Sequence, residues 1–87
     1  DTSLNRTSNG NGLIKEKTFQ KLSNLDAGSW FSSDFSNEKI PTLEEVLKLV
    51  NGKCKLIIEI KKGHDFYPNI EKNILKETHL LLYNLLA

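Results

Sequence analysis

Nine residues from Lys53 to Lys61, KCKLIIEIK, stand between Gly52 and Gly63 and constrain this chain more than any other stretch. The run is short, carries β-branched isoleucines at 57, 58 and 60, and has glycine at both ends, which favours a strand over a buried helix. Side chains alternate along a strand, so Leu56, Ile58 and Ile60 share one face while Ile57, Glu59 and Lys61 share the other. Both faces begin apolar, and charge enters toward the carboxyl end, unlike the half-solvated pattern of an open sheet. In parallel α/β sheets that end is where sites are built. If the even-numbered residues meet helices, Ile57 fills a barrel layer and Glu59 and Lys61 project into the mouth above it. A buried carboxylate is costly unless a cation or donors meet it. Glu59 is therefore a candidate divalent-metal ligand, and Lys61 a candidate contact for an anionic oxygen such as phosphate. On an edge strand the same pair would be an ordinary exposed Glu and Lys, and the pattern by itself admits both readings.

Helical signals flank this run. Thr42 can cap backbone donors while Glu45 reaches back to complete a capping box, and Pro41 bars an earlier start. Leu43, Val46, Leu47 and Val50 recur at the spacing of one apolar stripe, with Asn51 and Gly52 as a left-handed exit, so the spacing predicts an amphipathic helix over 42–51. Pro68 suits the first turn of a further helix, with Ile70, Ile74, Leu75, Thr78, Leu81, Leu82 and Leu85 on one side. The order helix, strand, helix predicts an α/β layer with parallel strands.

The first 41 residues read differently. Asn9-Gly10 and Asn11-Gly12 favour positive φ, so residues 1–12 form a loop. Leu13 and Ile14 suggest a short strand, and Thr18 with Phe19, Leu22 and Leu25 a short helix or turn. The Ser-, Gly- and Asp-rich stretch from Asp26 to Lys39 is irregular, yet it holds Trp30, Phe31 and Phe35, whose rings need somewhere to pack. This divides the chain into a loop and insertion segment, 1–41, and a helix–strand–helix piece, 42–87.

Composition removes several classes of partner. Twelve basic residues against eleven acidic give a formal net charge of +1, too weak a field to gather nucleic acid or an anionic membrane. The longest apolar stretches, Leu56–Ile60 and Leu80–Tyr83, fall far short of the roughly 20 residues of a membrane span. The single Cys54 cannot form an internal disulfide, and within an apolar run it reads as a buried, inert thiol. With no methionine among 87 residues and an abrupt Asp1-Thr2-Ser3 start, the chain reads as a fragment of a longer protein.

Three blocks resemble the glycerophosphodiester phosphodiesterase family. The opening DTSLNRTSNGNG, through Asp1, Leu4, Arg6, Thr7, Asn9 and Gly10, is similar to the family's segment after its second catalytic histidine. The block LDAGSWFSSDFSNEKIPTLEEVL, from Leu25 to Leu47, resembles the family's insertion and following helix, and is the most specific of the three. IEIK at Ile58–Lys61 resembles the strand whose Glu binds metal and whose Lys contacts the substrate phosphate. The resemblance implies a TIM (β/α)8 barrel of which this chain is roughly a third. It implies a hydrolase cutting glycerophosphodiesters into sn-glycerol 3-phosphate and an alcohol, with a divalent ion (Mg or Ca). Glu59 is then a metal ligand, Lys61 a phosphate contact, and Trp30, Phe31 and Phe35 a candidate substrate wall. Two histidines should act as general acid and base, and they and a Glu-x-Asp ligand pair are expected before Asp1. The site in this chain is thus partial, the rest of the parent chain must complete the barrel, and the fragment is expected to be inactive alone.

Two other assignments compete. A non-catalytic relative would keep the fold as a binding or structural module and lack those upstream residues. A barrel phosphodiesterase acting on phosphoinositides or sphingomyelin would lack the 25–47 block. Among the remaining polar residues, His64 lies near the presumed mouth without a motif match, and His79 reads as an ordinary helix residue. Arg6 reads as a solvated loop arginine. Gly10 and Gly12 have neither the preceding strand nor the following helix of a phosphate-binding loop. Asn5-Arg6-Thr7 is a glycosylation sequon, relevant only to a secreted eukaryotic protein.

Overall fold

The structure, a computed structural model, describes residues 1–86, with side chains described through His79. It divides into two compact units, Asp1–Pro41 and Thr42 onward.

The first unit is built from turns. Ser3 and Leu13 form one antiparallel bridge, flanked by the bonds from Leu4 N–H to the Gly12 carbonyl (2.9 Å) and from Ile14 N–H to the Thr2 carbonyl (3.1 Å). The loop between them is held by Asn5, whose Oδ1 accepts the Gly12 N–H at 2.9 Å and whose Nδ2 donates to Asn11 Oδ1 at 3.1 Å. Gly12 takes φ +92°, a conformation open to glycine and strained for a side chain. The strand expected at Leu13–Ile14 is reduced to that single bridge, because the chain turns at once into a 3₁₀ turn, Ile14–Glu16. A short helix α1, Phe19–Ser23, follows, its first turn capped by Thr18, whose Oγ1 accepts the Lys21 N–H. Leu4, 3% exposed, is the buried hydrophobic side chain of the described residues. Its methyls and those of Leu25 crowd Gly10 so closely that a Cβ there would meet Leu25 at 2.9 Å.

In the second unit, helix α2 spans Leu43–Val50. Both halves of the Thr42–Glu45 capping box are present: Thr42 Oγ1 accepts the Glu45 N–H (3.1 Å), and Glu45 Oε1 accepts the Thr42 N–H (3.0 Å). Asn51 ends the helix at φ 42°, ψ 46°, a left-handed site that Asn tolerates better than most residues. A 3₁₀ turn, Gly63–Asp65, leads to helix α3, Ile70–Leu86, and α3 touches both α2 and this turn. Pro68 stands outside α3, not in its first turn. Asn69 follows it at φ 65°, a left-handed conformation no right-handed helix can include, so the helix starts only at Ile70. Of the apolar stripe expected on α3, Leu81, Leu82 and Leu85 lie outside the described side chains.

The expected strand at Lys53–Lys61 is not formed. Residues 55–60 carry no helix, turn or ladder. A strand exists only when its N–H and C=O groups meet a neighbour's, and no described segment lies alongside to supply them. The alternation of faces nevertheless survives: Ile57 is 94% exposed, whereas Leu56, Ile58 and Ile60 are 38–40% exposed.

Candidate functional site

Glu59 and Lys61, two positions apart, lie on one side of this segment as their spacing predicts. Lys61 Nζ stands 3.2 Å from Glu59 Oε1. The burial expected for the carboxylate is absent, since the Glu59 side chain is 72% exposed. The cause is the missing ladder: with no strands beside it, there is no rim to shield it. No group of three or more His, Cys, Asp or Glu side chains that could hold a metal occurs among the described residues.

His64 has a local task. Its Nδ1 accepts the Asn69 N–H at 3.2 Å, tying the 3₁₀ turn to the residue that precedes α3. His79 is an exposed position of α3. Cys54 is exposed rather than buried, because the apolar run around it has no sheet to enter.

In the first unit the organising group is Asp26, which sequence reasoning passed over. Its Oδ1 accepts the N–H groups of Gly28 and Ser29, both at 2.9 Å. Its Oδ2 accepts the Asn37 N–H at 2.9 Å and the Ser29 hydroxyl at 2.6 Å. These bonds, the one from Asn37 foremost and then those from Ser29 and Gly28, hold the carboxyl well below the usual carboxylate range. The signal was available: Asp followed by Gly two positions on and Ser three positions on is the pattern of a side chain bonding its own downstream backbone. The loop closes through Ala27 N–H to the Glu38 carbonyl at 2.7 Å.

This frame presents the aromatic cluster. Trp30 Nε1 donates to the Ala27 carbonyl at 2.9 Å. The Trp30 and Phe31 rings meet edge-on at 5.8 Å, and Phe31 and Phe35 lie 5.7 Å apart. All three rings remain exposed. Arg6 is not a freely solvated arginine, because its guanidinium pairs with Asp1 Oδ2 at 2.7 Å and lies 5.5 Å from the Trp30 ring centre. A separate open pocket of about 330 Å³ has Leu4, Gly10, Lys17, Lys21 and Leu25 among its lining residues. It includes none of the predicted site residues.

The sequence profile of the glycerophosphoryl diester phosphodiesterase family matches residues 1–80. The chain belongs to that family. It is 46% identical over 74 residues to the Bacillus subtilis protein YhdW, covering 85% of this chain and 30% of the relative. It is 44% identical over 77 residues to a glycerophosphodiester phosphodiesterase of Caldanaerobacter subterraneus, covering 87% of this chain and 32% of that protein. The crystal structure of a glycerophosphodiester phosphodiesterase from Agrobacterium tumefaciens superposes with a TM-score of 0.60 at 33% identity, over 62% of this chain and 23% of the other. The fold is accordingly that of a segment of a (β/α)8 barrel. The chain spans about a third of the length of the curated relatives it matches. Among the described residues, no helix is long and apolar enough to cross a membrane.

Proposed function

We propose that this chain contributes to a metal-dependent phosphodiesterase that hydrolyses glycerophosphodiesters to sn-glycerol 3-phosphate and an alcohol. The observation that carries the reading is the Glu59–Lys61 pair, an acid and a base on one face, 3.2 Å apart, within the span the family profile matches. In a closed barrel a face like this one lines the mouth, where Glu59 would hold a divalent ion and Lys61 would contact a phosphate oxygen.

The donor chemistry suits Mg²⁺ or Ca²⁺, since an accessible carboxylate is the hard oxygen ligand such ions take. Glu59 supplies one ligand, and the other ligands and the acid–base histidines come from outside these 87 residues. A bound divalent ion would neutralise charge on the phosphate. Lys61 holds a proton and a positive charge, and so orients an anionic oxygen by attraction and hydrogen bonding. Trp30, Phe31 and Phe35, held by the Asp26 frame of the first unit, offer an exposed aromatic surface suited to an apolar part of a substrate.

The test is hydrolysis of glycerophosphocholine by the full-length protein, read as glycerol 3-phosphate released. Activity is expected to vanish with a chelator, return with Mg²⁺ or Ca²⁺, and fall sharply in Glu59→Gln and Lys61→Ala. The 87-residue chain alone should read at blank. Full activity in excess chelator, or in both variants, sinks the assignment. A full-length protein inert toward every glycerophosphodiester points instead to a binding or structural module.

A further inference from the structure

The pocket lined by Leu4 and Leu25 combines apolar side chains with cations, and none of the residues placed in the hydrolysis lines it. Its volume is about 330 Å³, and every lining residue belongs to the first unit. Leu4 is buried and Leu25 half-buried. Gly10 stands against both: a Cβ there would lie 2.9 Å from Leu25 Cδ1 and 3.3 Å from Leu4 Cδ1. Only the lack of a side chain at this position leaves the two leucines room to meet a ligand.

The cations come from two separate turns of chain. Lys17 is half-buried and lies across Gly12, with Nζ 3.6 Å from where a Cβ on Gly12 would stand. Lys21 is carried by α1. Asn11 also lines the pocket; its Oδ1 accepts from Asn5 Nδ2, so its own amide hydrogens remain as donors. Among the described residues neither Lys17 nor Lys21 has an ion-pair partner, and no Asp or Glu lines the pocket. Two ammonium groups bordering one cavity repel each other, and an anion held with both reverses the sign of that interaction.

We propose that this pocket binds a phosphate monoester with a short hydrocarbon chain, the phosphate held by Lys17 and Lys21 and the chain laid on Leu4 and Leu25. A monoester carries close to two negative charges above its second pKa of about 6, which matches two ammonium groups, whereas a carboxylate brings one charge. The volume is at the small end for ligand pockets and suits a short chain. Glycerol 3-phosphate has the same head group, but its hydroxyls would lose water against the leucines without gaining hydrogen bonds there.

The test is isothermal titration of full-length protein carrying Lys61→Ala, at about pH 8, low salt and with chelator present, using hexyl phosphate as the probe. That background removes the phosphate contact proposed for the reaction, so the outcome does not depend on the hydrolysis reading, which is scored separately by product release. Hexyl phosphate should bind at one site with a Kd of about 0.1–1 mM. Hexanoate should bind more weakly, and hexanol and glycerol 3-phosphate at least about tenfold more weakly, since each lacks either the charge or the chain. Replacing both lysines, Lys17→Gln with Lys21→Gln, should weaken hexyl phosphate at least about tenfold while helix content by circular dichroism stays the same. Absence of binding up to about 10 mM overturns the proposal. So does hexanoate or glycerol 3-phosphate binding as tightly as hexyl phosphate, a comparison that needs no change to the pocket, or undiminished binding in the double variant.

Discussion

Asp26 Oδ2 accepts the backbone N–H of Asn37 at 2.9 Å, joining two points of the chain eleven positions apart. This bond and its companions at Gly28 and Ser29 make a carboxylate the keystone of a loop that contains no strand and one short 3₁₀ turn. Because the bonds require the ionised form, the folded carboxyl titrates lower than the unfolded one. The linkage sign follows: stability from Asp26 is complete above the unfolded value of about 4 and is lost as pH falls below it toward the depressed folded value. Trp30 fluorescence followed from pH 7 to pH 2 should hold constant to about pH 4 and change below it. In Asp26→Ala the acid transition should disappear, with the loop already loosened at neutral pH.

Gly28 is buried beneath Phe35 and Glu38. A Cβ at this position would collide with the Phe35 backbone carbonyl, and would lie 2.8 Å from Phe35 Cβ and 2.9 Å from Glu38 Cβ. Backbone cannot swing aside as a side-chain tip can, so Gly28→Ala should destabilise the loop by about 1–3 kcal/mol. Amide hydrogen exchange at Ala27, whose N–H bonds the Glu38 carbonyl, should accelerate correspondingly. Unchanged protection there would show that the loop can widen without cost.

The capping box at α2 predicts a helix-specific loss. Thr42→Ala removes the acceptor of the Glu45 N–H and should cost about 1 kcal/mol, read as lower helicity by circular dichroism. Glu45 sits below the ordinary carboxylate range, first because it accepts the Thr42 backbone N–H. Its contribution therefore fades as pH falls through the acidic range, and should do so in Thr42→Ala as well, since that variant keeps the backbone N–H that Glu45 accepts.

Stability and activity should separate at the Glu59–Lys61 pair. An exposed ion pair stabilises by no more than about 1 kcal/mol, so Lys61→Ala should leave urea unfolding nearly unchanged. In the full-length protein the same substitution should lower hydrolysis by about 100-fold or more, the scale of losing a preorganised contact to developing charge. Equal, small effects on both would remove Lys61 from the proposed site.

What was legible in the sequence was whatever depends on near neighbours. Thr42, Glu45 and Asn51 define the start and finish of α2 within ten residues, and the structure has both the box and the left-handed cap. Thr18 capping α1 is a signal of the same range. The Asp26 turn was equally local in its Gly28 and Ser29 bonds, although its Asn37 bond was not. The family blocks at 1–12 and 25–47 were also legible, and the family match covers residues 1–80.

By itself the sequence determined the alternation of Leu56, Ile58 and Ile60 against Ile57, Glu59 and Lys61, because backbone stereochemistry places successive side chains on opposite faces. Only the tertiary structure decided that this segment carries no ladder, that Cys54 and Glu59 face solvent, and that Asn69 delays α3 until Ile70. A strand's hydrogen bonds and the burial of a carboxylate belong to pairs of segments distant along the chain. No local pattern can fix them, since each requires a partner to be present in space.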